Sequence, residues 1–328
     1  MSPRRGRTST PRRGLVLGGG GVLGAAWMTG ALSVVEDRLG WDVRQAEVII
    51  GTSAGSVLAA LIGCGIGVPT LVNHQRGQLG PDDPTISFDS DRASGGALPP
   101  RPRFGIGSTA LLARAAVRPL RYPPLAAFSA VLPHGRGTLE PVGALIDAVA
   151  PPGEWAPHPA VWIVTMDYDR GRRVAFGRPG AAPAALDLAV MASCAIPGWY
   201  APVMIGGRRY VDGGTCSPTS LDLLAGWGLD EAVVLAPMAA FELDDPPSLV
   251  GRLERRFRRA VTKRMLREAH KVRRGGTSVT VLAPGREDLE TIGVNLMDPS
   301  RRLSVLETSL RTSAVALDSR AHELPAAG

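Results

Sequence analysis

The residues of this sequence best suited to chemistry are a serine and an aspartate, each set beside glycines. Ser53 lies in GTSAGS (51–56), which matches the pattern G-x-S-x-G. In that pattern a sharp turn between a strand and a helix exposes a serine hydroxyl at the end of a sheet. Such a serine can act as a nucleophile, since the helix N-terminus favours developing negative charge. A serine that merely caps a helix fits the same residues equally well, so the motif alone leaves both interpretations open.

A run of four glycines follows the first apolar triplet, in LVLGGGGVLG (15–24). Backbone N–H groups in such a loop can hold a phosphate or stabilise the oxyanion of an acyl-transfer intermediate. Gly19, Gly21 and Gly24 fit the dinucleotide pattern G-x-G-x-x-G, but the next apolar run offers no acid for a ribose. A P-loop fails as well, because two alanines stand where lysine and serine or threonine are required. The loop is therefore interpreted as an oxyanion site.

The base that would activate Ser53 is less evident from the residues. Asp212 lies in RRYVDGG, at a predicted strand end before two glycines that permit a sharp turn. An isolated D-G-G is by default an Asx turn or a helix cap. No histidine lies in a turn that presents it to Ser53, although the chain order of a Ser-Asp-His triad would allow His270 or His322 as the base. The five histidines are His74, His134, His158, His270 and His322.

The elements that must position these residues alternate between short apolar runs and longer helix-compatible segments, which is typical of a mainly parallel α/β sheet. If the first two strands are adjacent and parallel, the glycine loop and Ser53 emerge at the same end of the sheet. Between about 70 and 135, proline, glycine and serine interrupt this order and indicate an inserted lid or cap. The predicted strands contain LVL at 15, EVII at 47, VWIVTM at 161, RRVAF at 172, RRYV at 208, EAVVLA at 231 and TSVTVLA at 277.

Three of these stretches together resemble the patatin-like phospholipase family. They are GGGGVLG, GTSAGS and ASCAIPGWYAPVMIGGRRYVDGG (192–214), in the family's order, and the resemblance extends from about residue 14 to 236. It implies a three-layer α/β/α fold with a mainly parallel central sheet. It also implies one hydrolase domain over 14–320.

The same resemblance implies a dyad in which Asp212 activates Ser53 directly, without histidine, metal or cofactor. The implied oxyanion hole consists of Gly19, Gly20 and Gly21, and the supporting motif glycines are Gly24, Gly51, Gly55, Gly213 and Gly214. The chain departs from the family's pattern at Leu23, where many members carry arginine or lysine, and at Ser217, where asparagine is common.

The activity implied is that of a lipid acyl hydrolase of phospholipase A, lysophospholipase or esterase type, which cleaves carboxylic esters through an acyl-Ser53 intermediate. Two alternatives are an α/β-hydrolase with a Ser-Asp-His triad and a phospholipid- or nucleotide-binding regulatory protein with a weak or inactive site. Loss of ester hydrolysis on replacing a histidine would identify the triad enzyme. Ligand binding without ester turnover would identify the regulatory protein.

Composition places limits on the class of protein. The chain has 328 residues, 45% hydrophobic content and a formal net charge of +7, which suits a globular protein with anionic partners. Its three cysteines show no metal-ligand spacing and are typical of reduced thiols in the cytoplasm. The run at 188–207 is long enough to span a bilayer, but its two prolines argue against a membrane helix. Residues 1–13 are expected to form a disordered basic tail.

A basic segment at about 249–275 is compatible with a helix. Arginine and lysine dominate it, which predicts contact with an anionic membrane through Arg255, Arg256, Arg258 and Arg259. A solvated helix packed on the sheet is the alternative. Nucleic acid is not expected as a partner, because no aromatic stacking platform accompanies the charges. The basic segment is also predicted to carry an apolar stripe along one side, which Arg264 and Lys271 interrupt. The residues of this stripe are Leu253, Phe257, Val261, Met265 and Val272.

Overall fold

The fold is organised around a mostly parallel sheet flanked by helices on both faces. The computed structural model describes residues 10–78, 80 and 101–319. Seven of its eight strands follow the order β5-β6-β3-β2-β1-β7-β8, and β4 also pairs with β3. The strands are β1 Arg13–Leu17, β2 Val48–Thr52, β3 Val161–Asp167, β4 Arg172–Phe176, β5 Val203–Ile205, β6 Arg208–Asp212, β7 Glu231–Leu235 and β8 Ser278–Leu282.

Five of the strands form a parallel core, in which β1 pairs with β2 and β7, β2 with β3, and β7 with β8. Strands β4 and β6 run antiparallel to β3, and β5 runs antiparallel to β6. The predicted α/β class is therefore confirmed. Each of the seven predicted runs overlaps a strand, with ends that extend past the strand by one residue at Glu47, Ala236, Thr277 and Ala283, whereas the three-residue strand β5 was missed.

Ten α-helices complete the architecture within the described residues. Alternate residues of each central strand point to opposite faces of the sheet. Leu15 and Leu17 pack with α1 and α2, whereas Val16 packs with α8, so helices cover both faces. The helices are α1 Gly21–Leu39, α2 Ala54–Gly63, α3 Val68–Arg76, α4 Thr109–Val117, α5 Pro124–Ser129, α6 Glu140–Asp147, α7 Leu186–Cys194, α8 Leu249–Arg273, α9 Arg286–Ile292 and α10 Arg302–Asp318.

The ends of the predicted segments differ in detail from the structure. Strand β1 begins at Arg13, and the Arg12 N–H donates to Asp230, so the domain includes residues that were predicted to belong to the tail. Residues 1–9 of that predicted tail lie outside the described residues. The predicted lid region contains most of α3, followed by α4 and α5. Residues 79 and 81–100 of this region lie outside the described residues. No helix in the described part of the chain is long and apolar enough to cross a membrane.

Most of the predicted apolar stripe of α8 packs on the core, since Val261, Met265 and Val272 are buried and Phe257 is partly buried. The helix departs from the prediction at Leu253 and at two arginines. Leu253 is 67% exposed, whereas Arg255 and Arg258 are 4% and 0% exposed. Arg255 pairs with Asp244 and Glu254, and Arg258 also pairs with Glu254. The prediction that these two arginines contact a membrane is therefore wrong, because both are buried and their guanidinium groups form ion pairs with carboxylates of the same chain.

Candidate active site

Ser53 lies in the sharp turn between β2 and α2. Its backbone has φ 53° and ψ −125°, and Ser220 is the other non-glycine residue with positive φ among those described. The turn is closely packed: a Cβ on Gly55 would lie 2.1 Å from the Leu17 carbonyl oxygen, and one on Gly51 would lie 2.4 Å from the Gly55 oxygen. The motif glycines are thus required by space. A non-glycine residue held in such a conformation is typical of functional sites.

Ser193, which sequence reasoning missed, fixes the backbone of Ser53. The Ser53 N–H donates to Ser193 Oγ at 2.8 Å, and that hydroxyl donates to the Val164 carbonyl oxygen at 2.6 Å. Ser193 is fully buried at the end of α7. A single serine within an apolar helix gives no sequence signal of this role.

Asp212 ends β6 beside Ser53, and both residues are only 6% exposed. Its Oδ1 accepts the Gly214 N–H at 2.7 Å. Burial raises the pKa of Asp212 to about 6, although hydrogen bonds from Gly214 and from the Ser53 side chain oppose the rise. A carboxylate with this pKa, in hydrogen-bonding contact with a serine, has the properties of a general base near neutral pH. Gly213 is required here too, since a Cβ would lie 2.4 Å from the Val164 oxygen.

The glycine loop joins β1 to α1 and lies against Ser53. Strands β1 and β2 are parallel neighbours, with Leu17 opposite Gly51, so the two loops emerge together as expected. A Cβ on Gly19 would lie 3.4 Å from the Ser53 Cβ. The Gly19 N–H donates to the Pro218 oxygen at 2.9 Å, whereas those of Gly20 and Gly21 have no acceptor among the described residues. Two of the three predicted donors thus remain available for an oxyanion.

Helix α8 supports this loop with charged groups that the sequence did not reveal. Arg258 Nη1 donates to the Pro237 carbonyl oxygen at 2.6 Å. The Pro237 ring in turn packs on the loop, because a Cβ on Gly20 would lie 2.7 Å from Pro237 Cγ. The buried carboxylate of Glu268 accepts hydrogen bonds from the hydroxyls of Ser217 and Thr219 on either side of Pro218. Helix α8 therefore stabilises both segments that contact the glycine loop.

The structure accounts for the two departures from the family's pattern. Leu23 lies in the first turn of α1 and is fully buried in the apolar core, so the loop has no cation at that position. Ser217 donates to Glu268 at 2.7 Å and accepts the Ser220 N–H at 3.0 Å. Ser217 thus helps to hold in place the segment whose Pro218 oxygen accepts from the glycine loop.

Two cavities meet at Ser53. The first, here called the inner cavity, has a volume of about 110 Å³. The second, the outer cavity, has about 390 Å³ and also contains Gly19, Gly20, Gly21 and Asp212. Both are lined mainly by apolar groups. Residues of the inner cavity include Val57, Leu58, Leu61, Leu71, Leu139, Val142 and Leu145.

The histidines do not complete a triad in the described structure. His74 lines the inner cavity from α3 and is the one described histidine that lines either cavity. His134 bonds to the Gly107 oxygen and His158 to the Ala46 oxygen, while His270 is exposed on α8. His322 lies outside the described residues. Nor is any group of three or more His, Cys, Asp or Glu placed to hold a metal within the described ranges.

Two solved structures and one family model resemble this chain. The chain is similar in structure to VipD from Legionella pneumophila, with 14% identity and a TM-score of 0.44, covering 95% of this chain and 67% of VipD. It is also similar to the type III effector protein ExoU, with 17% identity and a TM-score of 0.37, covering 95% of this chain and 54% of ExoU. No curated protein sequence matches. The family model of patatin-like phospholipases matches residues 15–225, and the chain therefore belongs to the patatin-like phospholipase family.

Proposed function

We propose that this protein is a serine lipid acyl hydrolase in which Ser53 and Asp212 form a catalytic dyad. The observation that carries the proposal is the contact between a serine in a strained turn and a buried carboxylate whose pKa is raised to about 6. The free N–H groups of Gly20 and Gly21 in the glycine loop, which lies against Ser53, support it, because they can stabilise an oxyanion beside that serine.

The reaction proceeds in two halves. Asp212 accepts the proton of Ser53 Oγ as that oxygen attacks the ester carbonyl carbon, and the tetrahedral oxyanion accepts hydrogen bonds from Gly20 and Gly21. The C–O bond to the alcohol then breaks, and Asp212 returns its proton to the leaving oxygen. Water attacks the acyl-Ser53 ester in the second half, again giving its proton to Asp212, and the fatty acid leaves as Ser53 Oγ recovers a proton.

The cavities support a lipid ester as the substrate. The inner cavity is apolar and narrow, which suits an acyl chain, whereas the larger outer cavity beside Asp212 has room for the alcohol portion. We expect such an enzyme to work in the cytoplasm, in peripheral contact with membrane lipid.

The test is a panel of phospholipid, lysophospholipid and p-nitrophenyl esters assayed with wild type, Ser53→Ala and Ser129→Ala. Ser129 is a matched control, since it lines the outer cavity while its hydroxyl donates to the Ala126 oxygen. We expect Ser53→Ala to lose at least about 10⁴-fold in kcat and Ser129→Ala to stay within a few fold. Equal activity of the wild type and Ser53→Ala would contradict the proposal, and lipid binding without turnover would support the inactive-site alternative.

A second test concerns the assignment of the inner cavity. Val142→Phe adds volume inside it, and we expect kcat/KM for long-chain esters to fall about tenfold or more while acetate esters are little affected. Val315→Phe is the control, because Val315 is 65% exposed on α10. If Val142→Phe reduces all chain lengths equally, the acyl chain does not enter this cavity.

A further inference from the structure

A groove of about 730 Å³, separate from the two cavities at Ser53, is lined by five arginines. It lies between α4, the turn after α4 and the turn between β3 and β4. Arg170 pairs with Asp167 at 2.9 Å. The other four have no acidic partner among the described residues, and they are Arg114, Arg118, Arg121 and Arg172.

The carboxylates closest along the chain to this groove are already engaged. Asp167 pairs with Arg170 and approaches Arg208 at 3.9 Å. Asp169 pairs with Arg209 and accepts a hydrogen bond from the Ser108 hydroxyl. The four unpaired guanidinium groups therefore converge on one concave surface without internal neutralisation. Guanidinium groups arranged in this way suit the oxygens of phosphate groups.

Apolar side chains stand out beside the arginines. Leu120 is fully exposed and Val117 is 78% exposed, and both lie within three residues of Arg118 or Arg121. Helix α5 begins two residues after Tyr122 and presents Leu125 and Phe128 to the outer cavity. One short stretch of chain thus connects the groove to the mouth of the active site. Exposed apolar residues interleaved with unpaired arginines are typical of segments that lie at a bilayer interface.

We propose that the groove and its apolar neighbours dock the protein on an anionic phospholipid bilayer. The four unpaired arginines bind lipid phosphates, while Val117 and Leu120 enter the boundary of the acyl region. The choice of a lipid partner rests on the proposed function, but docking itself requires no turnover. The exposed cations of α8 are the competing surface; they follow one side of a single helix, whereas the groove arginines line one concavity.

The experiment measures vesicle binding in a Ser53→Ala background, so that catalysis does not enter the result. Diether lipids are used, as equimolar phosphatidylglycerol and phosphatidylcholine or as phosphatidylcholine alone. The groove variant changes the four unpaired arginines to Gln. The matched control removes the same charge from exposed positions of α8 and carries Arg256→Gln, Arg259→Gln, Lys263→Gln and Arg267→Gln.

We expect the starting protein to bind phosphatidylglycerol vesicles in a salt-sensitive manner and to bind phosphatidylcholine weakly. Each arginine near an anionic surface contributes about fivefold, so the groove variant, which loses four, should bind about 600-fold more weakly. The α8 control should stay within about threefold. Circular dichroism and thermal melting establish that each variant is folded.

A second pair of variants keeps the test decisive if the groove variant does not fold. Val117→Ser with Leu120→Ser should weaken vesicle binding at high salt as well, whereas Leu249→Ser with Val250→Ser on α8 should not. The proposal is overturned if the α8 variants lose as much binding as the groove variants, or if neither set loses any. It is also overturned if a duplex oligonucleotide or soluble glycerol phosphate binds the groove more tightly than the vesicles. If docking fails while the protein with Ser53 intact hydrolyses a soluble ester, the proposed function stands and only the docking proposal is lost.

Discussion

The end of the sheet that holds Ser53 and the cap segment, residues 101–135, are built in opposite ways. Ser53 and Asp212 are each 6% exposed, and the glycines around them leave no room for a side chain. In the cap, Phe104 and Leu120 are fully exposed. The difference matches the two roles proposed above: a reaction site needs donors and acceptors already fixed in place, whereas a docking surface carries groups that find partners only on binding.

Arginine shows the same contrast. Arg258 on α8 is fully buried and donates to Pro237 beside the glycine loop. Arg118 in the cap is exposed and has no acidic partner among the described residues. A count of basic residues therefore does not indicate which surface is available to an anionic partner.

The largest effect that would sharpen this comparison is expected for Asp212→Asn. An amide cannot accept the Ser53 proton, so kcat should fall by about 10³-fold or more while vesicle binding is unchanged. Steady-state assays of ester hydrolysis measure the decrease in kcat. The control is Asp37→Asn, a carboxylate exposed on α1. Near-normal turnover by Asp212→Asn would show that another group acts as the base.

Gly20→Val should have the next largest effect. Its side chain would meet Pro237 Cγ at 2.7 Å and displace the loop that carries the free N–H groups. Loss of one oxyanion donor lowers kcat by about 10²- to 10³-fold. Gly67→Ala serves as the control, because Gly67 has φ −75° and the nearest contact of an added Cβ is 3.6 Å. Wild-type kcat for Gly20→Val would remove the loop from the mechanism.

Arg258→Met tests the buried arginine against the exposed ones. Removal of the guanidinium leaves Glu254 and the Pro237 oxygen without this partner, and we expect the free energy of unfolding to fall by about 3 kcal/mol. Arg118→Gln should change it by less than about 0.5 kcal/mol, since that side chain is exposed. Urea denaturation compares the two. Similar losses for both variants would contradict the division between structural and available arginines.

The pH dependence of activity should reflect the burial of Asp212. The carboxylate must be ionised to accept the proton, and burial raises its pKa to about 6. We therefore expect kcat/KM to be constant above about pH 7 and to fall about tenfold per pH unit well below pH 6. The profile is measured with a soluble ester whose own chemistry is pH-independent. An apparent pKa near 4 would mean that the base is not buried.

Much of the candidate site at Ser53 could be predicted from sequence, because tight turns require glycine and buried strands require apolar runs. The turn at Ser53 and the strand end at Asp212 were identified in this way, and both positions lie together in the structure. Ser193 and Glu268 could not be found, since each contacts a loop distant in sequence. The burial of Arg258 was missed for another reason: arginine is rarely buried, so helical patterning assigns it to solvent.

The arginine groove was also beyond sequence reasoning. Its walls come from residues 110–122 and 170–172, and only the fold brings them together. A cap with few motifs gives no spacing from which a binding surface can be inferred.

The most direct measurement of the central claim is covalent labelling with a fluorophosphonate, followed by intact mass and peptide mapping. The account predicts one adduct per wild-type chain, on Ser53, and its loss in Ser53→Ala. Asp212→Asn should label much more slowly, because the serine is no longer activated. A stoichiometric adduct on another residue, or labelling of Ser53→Ala at the wild-type rate, would contradict the assignment of Ser53 as the nucleophile.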